Sequence, residues 1–263
     1  MVSKLEKGCI SLSFDDGRED SYTIAYPLLK ENKIPATFNI TTGYVLGSGG
    51  NPTDVPAMTE QMVRELFDCP LFEIAGHGYY HRNDAEDITK GISGLKELLH
   101  VEMLTPDGDG FASPGTGLQR EIWDNLGGGE DGIKYARVSL RYLSHPRLKT
   151  FIRKVSRVLK WPILYRLAYQ DTMMESVKDG LLYSVPVLSS ITNNKLESLI
   201  NFASAHNKAL VLMFHSIVPK ERIHDNWDFE DVKFKKLLLF LDDMRLKGKL
   251  EVLTSMELAK RLK

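Results

Sequence analysis

Short apolar runs alternate along the chain with longer stretches in which apolar residues recur every three to four positions. The run at 9–14 predicts a strand that ends in Asp-Asp-Gly, and 20–32 predicts a helix with Ile24, Leu28 and Leu29 on one face. A second strand is expected at 36–40. A helix over 59–67 is capped by Thr59 and turns Met62, Val63 and Leu66 inward. A strand over 71–75 runs into Gly76-His77, and 85–104 carries Ile88, Ile92, Leu95, Leu98 and Leu99 at helical spacing. Further strands are expected at 111–112, 134–138, 181–185 and 210–215, with helices at 195–205 and 231–247. The pair 251–253 and 256–262 repeats the strand–helix step. Glycine-rich patches at 47–50, 127–129 and 132 read as loops. This rhythm predicts a parallel α/β sheet, open or closed as a barrel. In such folds functional groups collect where strands end.

Four polar clusters stand at those ends: Asp15-Asp16, His77 with His81, Ser113-Pro114-Gly115, and His215. Each has a structural reading by itself. Asp-Asp-Gly is an ordinary turn, a His-x-x-x-His pair arises by chance, and a single histidine after a strand is usually hydrogen-bonded near the core. Their joint placement points to a metal site. A hydrolytic zinc centre uses three ligands drawn from His, Asp and Glu and leaves a position open for water. His77, His81 and one of the two aspartates supply that set. The bound water would ionise near pH ~7, the other aspartate would be free as general base, and His215 could protonate a leaving group.

At these residues the chain resembles the polysaccharide deacetylase family, the NodB-like carbohydrate esterases. Ser13-Phe14-Asp15-Asp16-Gly17 looks like its first motif and His77-Gly78-Tyr79-Tyr80-His81 like its second. Phe111-Ala112-Ser113-Pro114-Gly115 is similar to a divergent third motif, and Leu212-Met213-Phe214-His215 to the fifth. The ending Val252-Leu253-Thr254 before a short helix is also similar. The resemblance spans about residues 8 to 262. It implies an α/β fold, a distorted (β/α)7 barrel, as one catalytic domain over 1–263. It implies metal-dependent removal of acetyl from an N-acetylhexosamine in a glycan or glycan precursor, with surface-polysaccharide biosynthesis as a setting. By position, Asp15 becomes the base and Asp16, His77 and His81 the ligands of one divalent ion. Zinc is foremost, and cobalt, nickel and iron also suit the donors. His215 becomes the acid, and a backbone N–H near Gly115 the oxyanion donor.

Three departures stand out. Ala112 occupies a position where many members carry an arginine that pairs with the base, and Gly115 one where many carry an aromatic residue. A fourth motif of Asp and Trp, which orients the acid and walls the pocket, is not recognisable. Arg137, in the strand-like Tyr135-Ala136-Arg137, is the candidate replacement cation for Asp15; a solvated surface arginine is the alternative. Two other functions remain open: another amide or imide hydrolase on the same scaffold, and a non-catalytic carbohydrate- or membrane-binding protein with a decayed site.

Composition changes the picture at one place. The chain has 263 residues, 43% hydrophobic and 26% charged, which is ample for a core. A formal net charge of −1 argues against a nucleic-acid partner. No apolar run approaches the roughly 18 residues of a membrane span. The first residues hold no apolar signal core, so a cytoplasmic setting is expected. Cys9 and Cys69 are expected as free thiols. The average hides a segregation, because residues 133–170 hold ten basic residues and no acidic one, against 24 basic and 35 acidic in the remainder. Leu148, Phe151, Ile152, Val155, Val158 and Leu159 fall at helical spacing within that segment. One reading is a barrel helix with its apolar stripe on the core. The others are peripheral contact with an anionic membrane, at its inner face, or a site for a phosphate-linked substrate.

Overall fold

Seven parallel strands close on one another in the computed structural model, which describes residues 5–51, 55–115, 117–127, 132–139, 147–177 and 179–263. β1 (Gly8–Phe14) leads through a π-helical turn (Ser21–Ala25) into α1 (Tyr26–Glu31). β2 (Ala36–Ile40), α2 (Thr42–Val45), α3 (Glu60–Phe67), β3 (Phe72–Gly76), α4 (Ala85–Leu99) and β4 (Gly110–Ala112) follow. Next come α5 (Arg120–Leu126), β5 (Tyr135–Ser139), α6 (Arg147–Val158), α7 (Pro162–Tyr169), β6 (Leu181–Pro186), α8 (Asn193–Ala205) and β7 (Ala209–Phe214). The chain ends with β8 (Ser216–Val218), β9 (Asp228–Glu230), α9 (Asp231–Leu246), β10 (Leu250–Val252) and α10 (Ser255–Leu262). Strands β1 to β7 pair in sequence and β7 returns to β1. On its other side β1 pairs with β10 from Gly8 to Ile10 and with β2 only at Ser13 and Phe14, so the ring is distorted there. The expected distorted (β/α)7 barrel is the observed fold.

Strand side chains alternate between two environments, as the pleat requires. Ile10, Leu12 and Phe14 point outward and join Phe38, Ile74, Val138 and Leu212 in the layer packed under the helices. Phe14 stacks on Phe38 and Phe214 with centroids 5.1 and 5.3 Å apart. The opposite parity is unusually polar. Ser13 accepts from Asn39 Nδ2 at 2.7 Å, Thr37 donates to Glu73 at 2.9 Å, and Tyr135 Oη donates to Glu73 at 2.6 Å. A barrel of this size fills its interior with side chains rather than water, and these groups bond to one another across it.

The start of α10 closes the lower end. Met256 N–H donates to Glu73 at 2.9 Å and Ser255 N–H to Thr37 at 2.8 Å, so a carboxylate meets the donors at a helix start. Thr254 and Glu257 form a reciprocal capping box that fixes where this helix begins.

Four sequence expectations are corrected. The span 20–32 divides into a π-helical turn and a short α-helix, because Pro27 lacks the N–H that an unbroken helix needs. The helix expected to reach 104 stops at Leu99, where His100 turns to φ 58°. The small β8–β9 pair, Ser216–Val218 against Asp228–Glu230, was not anticipated. The stripe on α6 is divided: Ile152 packs against the core and Val155 is half-buried, whereas Leu148, Phe151 and Val158 are exposed and the buried positions are Arg153 and Ser156. Gly128, Gly129, Arg141 and residues 1–4, on which loop, charge and targeting expectations rested, lie outside the described residues.

Two outcomes follow. Glu73→Ala leaves Tyr135 Oη, Thr37 Oγ1 and Met256 N–H without their acceptor, and should lower unfolding free energy by about 3 kcal/mol in a urea titration; a change inside experimental error would contradict the closure described. Burial pushes the Cys9 thiol up to about 11, with Glu251 adding and Arg261 opposing. A thiol reagent at pH ~8 should therefore spare Cys9 in the folded protein and label it after denaturation, with half-buried Cys69 the more accessible thiol.

Candidate active site

The inward parity of the strands carries polar chemistry to the upper rim. Counting by two, β1 runs Ser11, Ser13 and then Asp15, β5 brings Arg137, and β3 and β7 continue into His77 and His215. Asp15, Arg137, His77 and His215 line one cavity of about 630 Å³ with Asp16, His81, Gly115, Tyr44 and Trp227. The structure brings all seven expected site residues together.

Asp15 is buried, and both oxygens of its carboxylate accept hydrogen bonds. Arg137 Nη2 donates to Oδ1 at 2.6 Å and to Oδ2 at 2.7 Å, and Asn39 Nδ2 donates to Oδ1 at 2.8 Å. Burial works to raise its pKa, but Arg137 and the rings of His77 and His215 outweigh this and hold it below the usual carboxylate range. Arg137 is only 1% exposed, so it is not the surface arginine of the alternative reading. Ala112 on β4 is the register partner of Arg137 on β5. The cation therefore comes from the next strand at the same height.

Asp16 and His81 sit at φ 73° and 62°, in the left-handed region that ordinary side chains seldom adopt. Each such residue costs on the order of 1–3 kcal/mol and persists where its surroundings enforce it. Here the enforcement is visible. Arg18 clamps Asp16 Oδ2 through Nε at 2.9 Å and Nη2 at 2.8 Å, and donates from Nη1 to Ser216 at 2.9 Å. The loop 78–82 wraps the Asp87 carboxylate, which accepts from Tyr79, Tyr80 and Arg82 N–H at 3.0, 2.7 and 2.9 Å. Gly78 takes φ 79°, and a Cβ there would lie 2.5 Å from Asp87 Oδ2, so only glycine permits this wrap.

The remaining oxygen, Asp16 Oδ1, is buried without a hydrogen-bond partner. It faces His77 Nε2 and His81 Nε2, each at 3.3 Å. His77 Nδ1 bonds the Ala112 carbonyl at 2.8 Å. A carbonyl only accepts, so Nδ1 carries the proton and Nε2 turns a lone pair toward Asp16. One Asp oxygen and two imidazole nitrogens, all within 4.8 Å of one another, fit a divalent cation. Burial works to raise the Asp16 pKa, but hydrogen bonds from His77 and His81, which the rings give when their Nε2 atoms are protonated, hold it well below its usual range.

His215 stands on the other flank, Nε2 4.0 Å from Asp15 Oδ2. Burial lowers its pKa, against the pull of Asp16 and Asp15. Its Nδ1 has no partner among the described residues, in keeping with the missing fourth motif. Trp227 packs against its ring, centroid to centroid 4.3 Å, and supplies an aromatic wall from a loop tied by Asp228 to His224 and Asp225 N–H. The Gly115 turn is braced by Asn83, which donates to the Pro114 carbonyl at 2.5 Å and accepts from Ser113 Oγ at 2.8 Å.

Sequence reasoning missed Asn39, Arg18 and Asp87. Asn39 carried a signal, a second polar residue on the parity of Thr37 in the run at 36–40. Asp87 carried none, because loop 78–82 folds back onto the first turn of α4 without any spacing that marks it.

Residues 3–123 match the family model described as polysaccharide deacetylase. Among curated proteins, the poly-β-1,6-N-acetyl-D-glucosamine N-deacetylase of Staphylococcus aureus (strain MRSA252) is 34% identical over 101 residues, covering 38% of this chain and 34% of that protein. The chain thus spans about a third of the length of that relative. Among solved structures, a family 4 acetyl xylan esterase from Clostridium thermocellum, in complex with a cobalt ion, aligns with a TM-score of 0.51. It has 15% identity and covers 96% of this chain and 90% of that one, and it shares the fold. IcaB from Ammonifex degensii aligns at 26% identity over 48% of this chain and 57% of that chain, with a TM-score of 0.38.

If Asp87 braces the His81 loop, Asp87→Ala should weaken zinc binding about 10–100-fold in calorimetric titration. Unchanged affinity would separate the loop from the cation site.

Proposed function

We propose that this chain, which belongs to the polysaccharide deacetylase family through residues 3–123, is a metal-dependent hydrolase that removes acetyl from an N-acetylhexosamine in a glycan or glycan precursor. The observation that carries the reading is the meeting of an unpartnered buried carboxylate oxygen with two imidazoles, beside a second carboxylate held ionised by its own arginine. Asp16, His77 and His81 would hold the ion, zinc foremost, with cobalt, nickel and iron suited to the same donors. When bound, such an ion supplies Lewis acidity and a water that ionises near pH ~7.

Asp15 is the general base. Its Oδ2 takes a proton from water as the water oxygen adds to the acetyl carbonyl carbon. His215 is the general acid; its Nε2 delivers a proton to the amide nitrogen as the C–N bond breaks, releasing acetate and the free amine. A separation of 4.0 Å lets the two groups serve the two ends of one amide. Arg137 and Asn39 position Asp15 and do not touch substrate. The Gly115 turn lines the cavity with open space above its Cα, and its backbone N–H is the proposed donor to the oxyanion. Trp227 and Tyr44 wall the sugar. The surface-polysaccharide setting is part of the same proposal, supported by the relative's printed name.

Acetate release tests this. β-1,6-linked and β-1,4-linked N-acetylglucosamine oligomers are assayed with zinc-loaded and chelated protein. Chelation should abolish release, and Asp15→Asn and His215→Ala should each lower kcat by about 10²–10⁴-fold while zinc still binds. Release that survives chelation, or an Asp15→Asn variant with unchanged kcat, would overturn the reading.

A further inference from the structure

Helix α6 packs Ile152 against the core but turns much of its apolar stripe outward and polar groups inward. Its buried side carries Arg153, whose Nε donates to the Ala168 carbonyl at 2.9 Å and whose Nη2 reaches both Asp171 oxygens at 3.0 Å. Ser156, also buried, bonds back to the Arg153 carbonyl at 2.8 Å. The outer side carries the apolar stripe: Leu148 is 68% exposed, Phe151 63% and Val158 80%. The stripe continues across the turn into α7 through Trp161 at 65% and Ile163 at 63%. A soluble helix normally arranges these classes the other way. Leaving so many large apolar groups in water, side by side, marks a surface that something covers.

Charge decides what covers it. Lys154 and Lys160 are exposed at the margins of the stripe. A second copy docked face to face would bring these lysines against their own counterparts, which disfavours a symmetric dimer. An apolar stripe with basic margins and a tryptophan at its end suits a bilayer whose headgroups are anionic. We propose that α6 and the start of α7 form a docking surface for an anionic membrane, with Phe151, Trp161 and Ile163 entering the acyl boundary and Lys154 and Lys160 meeting lipid phosphates. α6 also places Arg157 in the lining of the active-site cavity, where its Nε donates to Tyr169 Oη at 2.7 Å. Docking through the outer face of this helix therefore sets the cavity beside the lipid surface, where a membrane-held glycan would be presented. The surface itself goes beyond the activity proposed above and does not depend on it.

The test is co-sedimentation of the full chain with phosphatidylcholine vesicles, with and without phosphatidylglycerol, at low and high salt. Binding should require phosphatidylglycerol and weaken with salt. A Phe151→Asp, Trp161→Asp double variant and a Lys154→Glu, Lys160→Glu double variant should each bind at least about tenfold more weakly. Both should keep the wild-type melting temperature and acetate release from a soluble oligosaccharide. No partition onto anionic vesicles at low salt, or partition equal in wild type and both variants, overturns the proposal. So does a dimer in sedimentation equilibrium that the Phe151→Asp, Trp161→Asp variant abolishes without any vesicle binding, which would assign the face to a second copy. Loss of acetate release with vesicle binding intact would count against the proposed activity alone.

Discussion

The ion pair between Asp15 and Arg137 is the interaction on which the upper barrel depends. Both groups are buried, and either one left alone would be an uncompensated charge in the lumen, a loss of about 3–5 kcal/mol. Together, with Asn39 completing the carboxylate, they fix Asp15 as an anion pointing along the barrel axis. The neighbouring Asp16 is then forced into a left-handed turn that aims its free oxygen at two histidines. The same pair explains why Ala112 is tolerated: the guanidinium reaches Asp15 from the register-matched position one strand over. Positive charge in the lumen is thus retained while its strand of origin differs.

Much of this was legible because a strand has a period of two. Once 9–14 reads as a strand, Asp15 follows on the parity of Ser11 and Ser13. The same counting carries β3 to His77 and β7 to His215, so the rim chemistry could be read from local alternation. The metal donors were legible for the same reason, together with the spacing of His77 and His81. What could not be read were the braces. Asp87 acts across a turn folded back on α4, Arg18 acts through a strained Asp-Asp-Gly turn, and Trp227 reaches His215 from the loop joining β8 to β9. These contacts depend on loop conformations that leave no periodic mark.

The basic segment shows a different limit. Its apolar spacing was visible, but spacing gives the width of a stripe and not its direction. The orientation is set by Arg153, whose bonds to Ala168 and Asp171 pull the polar side of α6 inward. The overall charge of −1 likewise averages over two regions of opposite sign. One helix thereby joins a cavity-lining arginine on one side to an exposed apolar stripe on the other, linking the chemistry of the site to the surface around it.

The central claim is that Asp16, His77 and His81 form a cation site poised beside an ionised Asp15. The direct measurement is a crystal structure of zinc-soaked protein with anomalous data collected at the zinc edge. The account predicts one peak at about 2.0–2.2 Å from Asp16 Oδ1, His77 Nε2 and His81 Nε2, with Arg137 still bound to Asp15. A peak elsewhere, no peak at saturating zinc, or an Asp15 that leaves Arg137 to become a ligand would contradict it.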